Sequence, residues 1–134
     1  MMSTSVASPD ALNSQRMRAL SAEEYDSLSF GVIELDPGFV VRNYNARESQ
    51  LARRSAADTI GRHFFHEVAP CADVPEFRGR LESLMSTEAG ADSELRFDYH
   101  FAFAWGRRRV RIRALRGDDG CWIFVTPLKS LDRD

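Results

Sequence analysis

Residues 94–126 read ELRFDYHFAFAWGRRRVRIRALRGDDGCWIFVT. Leu95, Phe97, Tyr99, Phe101, Phe103 and Trp105 alternate strictly with smaller or polar neighbours. A period of two sustained this long predicts a β-strand with one apolar face. After Gly106, Val110 and Ile112 alternate with Arg109, Arg111 and Arg113. Gly117-Asp118-Asp119-Gly120 predicts a turn, and CWIFVT a last strand. Upstream, FGVIEL and FVVRN flank Asp36-Pro37-Gly38, which predicts a further hairpin. Short helical patterns lie between. Asn45 caps NARESQLARR, and Ser55 with Asp58 caps the next segment. VPEFRGRLESLM puts Phe77, Leu81, Leu84 and Met85 on one helical face, with Asp73 as its N-cap. Two strands, short helices and three strands make an α+β domain. Its expected form is a five-stranded antiparallel sheet with short helices on one face.

The chain has 134 residues, 43% hydrophobic and 28% charged, which is one domain's worth with a core of its own. Its net charge of −2 argues against a globally basic nucleic-acid binder. No apolar run approaches the length of a membrane span, and the N-terminus lacks the pattern of a secretory signal. Two cysteines, Cys71 and Cys121, do not make a disulfide framework, so a reduced, cytoplasmic setting is expected. Residues 1–29 differ from the rest, being rich in Ser and Ala without Phe or Trp. They are expected to form a weakly held N-terminal cap, with a helix near Ala11–Leu20. A second helix starts at Ser21, which with Glu24 has capping-box spacing. Tyr25 and Leu28 would face the body. Residues 30–126 form the core, and residues 127–134 a C-terminal tail.

Several side chains invite a chemical reading. Cys71, in Val68-Ala69-Pro70-Cys71, precedes a helix start, where the macrodipole favours a thiolate. It is either a reactive thiol or an inert buried cysteine, and the pattern alone favours the second. Glu48 is three residues after Asn45 and is either a solvated helical carboxylate or a buried protonated acid beside Tyr44. His63, His66 and Cys71 match no common zinc spacing, and capping or surface roles suit the histidines better than metal or haem ligation. The Arg-rich run from Arg107 to Arg116 is either a nucleic-acid patch or a polar sheet face. The acidic balance favours the polar face, paired with Glu23, Glu24 and Asp26 of the cap. No phosphate loop, nucleophile elbow or HExxH motif is present, and no enzymatic activity is expected.

Taken together, SFGVIELD, NYNARES, TIGRHFFHEVAPCADVPEF, RFDYHF and CWIFV resemble the photoactive yellow proteins, or xanthopsins, blue-light receptors with a PAS fold. The resemblance runs from about Leu28 to Val125. It implies p-coumaric acid carried as a thioester on Cys71, whose backbone N–H holds the carbonyl oxygen. It further implies that Tyr44 and a protonated Glu48 bond the buried phenolate end, that Arg54 forms a lid and that Phe101 lines the pocket. Two positions depart from the family's pattern. Ala52 stands where a threonine commonly supports the tyrosine, and Trp105 where a methionine is often found.

On this reading, light isomerises the chromophore, Glu48 gives up its proton, and the stranded carboxylate drives release of the N-terminal cap. The expected partner is a downstream signalling protein of unknown identity, with no nucleic acid or membrane, and the chain is a monomer or weak dimer. The rival readings are a chromophore-free PAS interaction module and a sensor of haem, through His63 or His66, or of another ligand.

Overall fold

A computed structural model describes residues 12–86, 90–103 and 105–128. Two short helices, α1 (Ser14–Ala19) and α2 (Ala22–Asp26), precede β1 (Gly31–Leu35) and β2 (Val41–Tyr44). Helix α3 (Ala46–Ala52) follows, then tight turns, α4 (Arg80–Leu84) and the strands β3 (Glu94–Phe103), β4 (Gly106–Arg116) and β5 (Cys121–Pro127). The sheet is five-stranded and antiparallel, in the order β2-β1-β5-β4-β3. Among the described residues, no helix is long and apolar enough to cross a membrane.

The alternation of the strands divides the apolar residues between two cores. On one face Ile33, Tyr44, Phe64, Phe65, Phe77, Leu81, Val110 and Ile112 pack beneath the short helices. On the other face Val32, Leu115, Trp122 and Phe124 receive Leu12, Met17 and Leu28 from the N-terminal segment. The expected cap is therefore a docked element for its described residues; residues 1–11, and most of the expected tail, lie outside them. Tyr25 packs at its margin, its hydroxyl donating to Val32 O at 3.2 Å.

The caps follow the sequence closely. Ser21 and Glu24 form a reciprocal capping box, Asn45 Oδ1 accepts from Glu48 N, and Ser55 accepts from Asp58 N. Three local expectations are corrected. Asp73 does not cap the helical segment after it: Val74 holds that position, Pro75–Gly79 is a wide π-type turn leading into α4, and Asp73 pairs with Arg78 at 3.0 Å. The pyrrolidine of Pro75 has no N–H to cap, so a side-chain acceptor gains less there. Phe39, expected in the second strand, instead takes the left-handed turn position at φ 67°, with Asp36 Oδ1 accepting from Gly38 N and Val40 N. The acids of the cap do not take Arg109, Arg111 and Arg113. Asp98 and Glu94 on the adjoining strand β3 do, because the register sets Asp98 beside Arg111 and Arg96 beside Arg113. Arg113 also donates to Leu12 O at 2.7 Å, tying the cap's first described residue to β4.

Candidate functional site

Between α3, the segment Phe64–Ala69 and β3 lies a cavity of about 120 Å³. Helix α3, capped by Asn45, turns its first-turn Glu48 inward rather than to solvent, where the residue is 2% exposed. Glu48 Oε1 has no hydrogen-bond partner among the described residues. A buried polar atom left this way costs on the order of 1–3 kcal/mol, so its position needs a cause. Burial alone pushes the Glu48 pKa up to about 8, which keeps the carboxyl protonated at neutral pH. Room for it comes from Gly31 on β1. A Cβ there would lie 2.0 Å from Glu48 Oε1, so only glycine lets the carboxyl occupy this place.

Tyr44, the last residue of β2, lines the same cavity and is 5% exposed. Its hydroxyl is held well above the ordinary tyrosine range, first by burial and then by the neighbouring Glu48, with Arg54 acting in the opposite sense. Ala52, at the end of α3, Phe64, Phe101 and Phe103 supply apolar walls. Arg54 borders the cavity and its Nη1 donates to Val68 O at 2.9 Å, bridging the end of α3 to the segment that leads into Cys71. Cys71 sits in a single tight turn, Pro70–Ala72. Its Sγ lies 3.7 Å from the carbonyl of Ala102, which also lines the cavity, and Tyr99 donates its hydroxyl to Cys71 O at 2.8 Å. The half-buried thiol is thus at the cavity's rim. Cys121 is fully buried away from it on β5, its thiol pushed up to about 12 by burial.

Tyr44, Glu48, Ala52, Arg54 and Phe101 therefore line one cavity with Cys71 at its edge. Trp105 is one layer further out. Its ring stacks on Phe103 at 5.3 Å, Phe103 stacks on Phe101 at 4.9 Å, and Arg53 lies 5.0 Å over the indole. The indole N–H donates to Leu51 O at 2.8 Å, fastening the β3–β4 hairpin to α3. His63 is a capping residue: Nδ1 accepts from Phe65 N and His66 N, and its ring stacks on His66 at 3.9 Å.

The chain as a whole is similar to known proteins. The PAS fold family profile matches residues 25–126. The chain is 38% identical over 112 residues to a photoactive yellow protein of Rhodothalassium salexigens, covering 81% of this chain and 86% of that one. The chain belongs to the photoactive yellow protein family. A photoactive yellow protein of Cereibacter sphaeroides is 37% identical over 109 residues, covering 80% and 86% of the two chains. The photoactive yellow protein domain of the sensor histidine kinase Ppr from Rhodospirillum centenum superposes with a TM-score of 0.76. It has 36% identity, and the match covers 83% of this chain and 96% of that chain.

Two site residues had no distinct sequence signal. Gly31 reads as an ordinary strand residue, because its close approach to Glu48 depends on how α3 crosses β1. Asn45 reads only as a helix cap, yet it is fully buried and ties three elements together. Its Oδ1 accepts from Val32 N at 2.9 Å as well as Glu48 N at 3.0 Å, and its Nδ2 donates to Phe30 O and Tyr25 O, both at 3.1 Å.

Proposed function

We propose that this chain is a blue-light photoreceptor whose chromophore is trans-p-coumaric acid held as a thioester on Cys71. When bound, that group would supply visible absorption, light-driven trans–cis isomerisation and a phenolate end that gains or loses a proton. The observation that carries the reading is Glu48: a fully buried carboxyl kept neutral by burial, its Oε1 without a partner among the described residues, in a side chain that lines a cavity together with Tyr44.

The residues present suit such a group. A phenolate buried in an apolar pocket is costly unless donors meet it. Tyr44 O–H and Glu48 O–H are two such donors, and charge-assisted bonds of this kind are short and strong. Arg54, at the border of the cavity and bonded to Val68 O, would cover one side of such a group. Cys71 Sγ would hold the group as a thioester, taking the place of the leaving group of an activated coumaroyl ester while its thiol proton goes to solvent.

Glu48 holds its proton in the dark because burial favours the neutral form. Passing that proton to the phenolate oxygen strands a carboxylate in a fully buried place, where an uncompensated charge costs several kcal/mol. Asn45 carries the disturbance outward, since the same side chain bonds Glu48 N and the carbonyl of Tyr25 in α2. The N-terminal segment is two short helices docked on the other face of the sheet, and a small peripheral unit of this kind opens before the central strands do.

Reconstitution of the purified chain with activated p-coumaric acid tests the reading. The expected result is one visible absorption band that bleaches in blue light and recovers in the dark, with the acyl group on the Cys71 peptide. A colourless protein after reconstitution, or a Soret band on addition of haem, would refute it.

A further inference from the structure

We propose that the outer edge of β3 is a homodimer interface, where two copies join β3 to β3 antiparallel with Phe97 facing Phe97 across a two-fold axis. The proposal is independent of the light chemistry. Strand β3 ends the sheet, so one side of it pairs with β4 and the other side with no strand among the described residues. The carbonyl of Ala102 accepts Cys71 Sγ from that outer side. In an antiparallel strand, residues two apart direct their backbone groups the same way, so Glu94, Arg96, Asp98 and His100 also present N–H and C=O outward.

Such an edge invites pairing, and charged side chains are the usual protection against it. Here polar side chains are exposed at every second position: the charged Glu94, Arg96 and Asp98, and then His100. With Phe97 on the axis, Arg96 of each copy falls opposite Asp98 of the other, and Glu94 opposite His100. Those are also the residues whose outward backbone groups meet in this register. Sliding by two residues one way sets Arg96 on Arg96 and Glu94 on Asp98. Sliding the other way sets Asp98 on Asp98 and Arg96 on His100. The pattern opposes its two neighbouring registers, and only the register centred on Phe97 pairs all four of these positions with one another.

The surroundings fit the same span. Pairing covers residues 94–100. It ends where the Cys71 turn abuts Ala102 and, at the other end, where Asp92 takes a left-handed turn at φ 70°. Open clefts of about 540 and 330 Å³ flank the edge, bordered by Arg80 with Leu95 and by Arg80 with Phe97 and His100. Leu95, Phe97 and Tyr99 are only partly buried along this edge. Joining the copies sets Leu95 against Tyr99 and Phe97 against Phe97, which covers them.

Sedimentation equilibrium of the full chain tests this, with Arg96→Asp, Asp98→Arg and the double swap. The wild type and the swap are expected to dimerise, and each single variant, with like charges opposed twice by symmetry, to dissociate about tenfold or more readily. A wild type that stays monomeric at millimolar concentration, or single variants that associate as tightly as the wild type, would overturn the proposal. Should a single variant fail to fold, hydrogen exchange on the wild type decides. The amides of Glu94, Arg96, Asp98 and His100 should gain protection with concentration, while those of Leu95, Phe97 and Tyr99 do not change. Unchanged protection at the even positions would overturn the proposal as well.

Discussion

Replacing Glu48 by glutamine should change the pH dependence of folding in the chromophore-free protein more than its stability at low pH. The carboxyl is fully buried, and its folded pKa of about 8 stands above the 4.5 of an unfolded glutamic acid. Below pH 4.5 both states carry the proton and the group contributes nothing to the slope. Between 4.5 and 8 the unfolded chain has released its proton while the folded one has kept it, so folding weakens as pH rises. At about 1.4 kcal/mol per pH unit, the total loss is on the order of 5 kcal/mol by pH 8 to 9. That is comparable with the whole stability of a small domain. Glutamine cannot ionise, so Glu48→Gln should be the more stable protein at pH 8.5 and close to the wild type near pH 4.5. Urea denaturation of both proteins across this range measures the difference directly. Curves that stay parallel from pH 5 to 9 would mean that Glu48 ionises at its ordinary pKa. Burial would then not be what sets its protonation.

Three further outcomes follow from the same geometry. Gly31→Ala would put a methyl group into Glu48 Oε1 and should displace the carboxyl from the cavity, lowering stability by roughly 1–3 kcal/mol in thermal denaturation and restoring a Glu48 pKa near 4.5 by NMR titration. Asn45→Ala removes the acceptor shared by Val32 N and Glu48 N and the donor to Tyr25 O. It should cost about 2–4 kcal/mol and raise hydrogen exchange in α1 and α2 more than in β4 and β5. Acylation with activated p-coumaric acid, read by mass spectrometry, should be abolished in Cys71→Ser and retained in Cys121→Ser, whose thiol is buried away from the cavity.

The strands were legible because each buries one face or both, and burial writes a period of two or an apolar run into the sequence. Glu94–Phe103 and Cys121–Pro127 are the clearest instances. Helix starts were legible where a side chain does the capping, as at Ser21, Asn45 and Ser55. The sequence signal failed where backbone geometry decides. Phe39 occupies a left-handed turn position that glycine usually fills, and the Pro75–Gly79 turn has no side-chain cap to announce it. The candidate site was legible only through motif resemblance. Glu48 is a normal third residue of a capped helix, and its inward turn depends on Gly31 across a strand contact that no local pattern encodes. Trp105 continues the alternation of β3, yet its indole N–H is drawn to Leu51 O, so it fastens the hairpin instead of lining the cavity.

The arrangement of the two cores explains why a change of charge at Glu48 should be felt by the N-terminal segment, which lies on the opposite face of the sheet. Strand β1 separates them and contributes Ile33 to one core and Val32 to the other. Neighbouring strand residues face opposite ways, so an apolar contact cannot cross the sheet directly. Polar ties run around its edge instead. Asn45 bonds both Val32 N and Tyr25 O, Asp26 Oδ1 accepts from Ala46 N at 2.9 Å, and the Tyr25 hydroxyl donates to Val32 O. Each of these ties begins at the first residues of α3 or at β1, the two elements that clasp the Glu48 carboxyl. Displacing Glu48 therefore strains the anchors of α2 before it disturbs the Leu12, Met17 and Leu28 contacts. The N-terminal segment should accordingly loosen from its α2 end, with exchange rising first around Tyr25 and later at Met17.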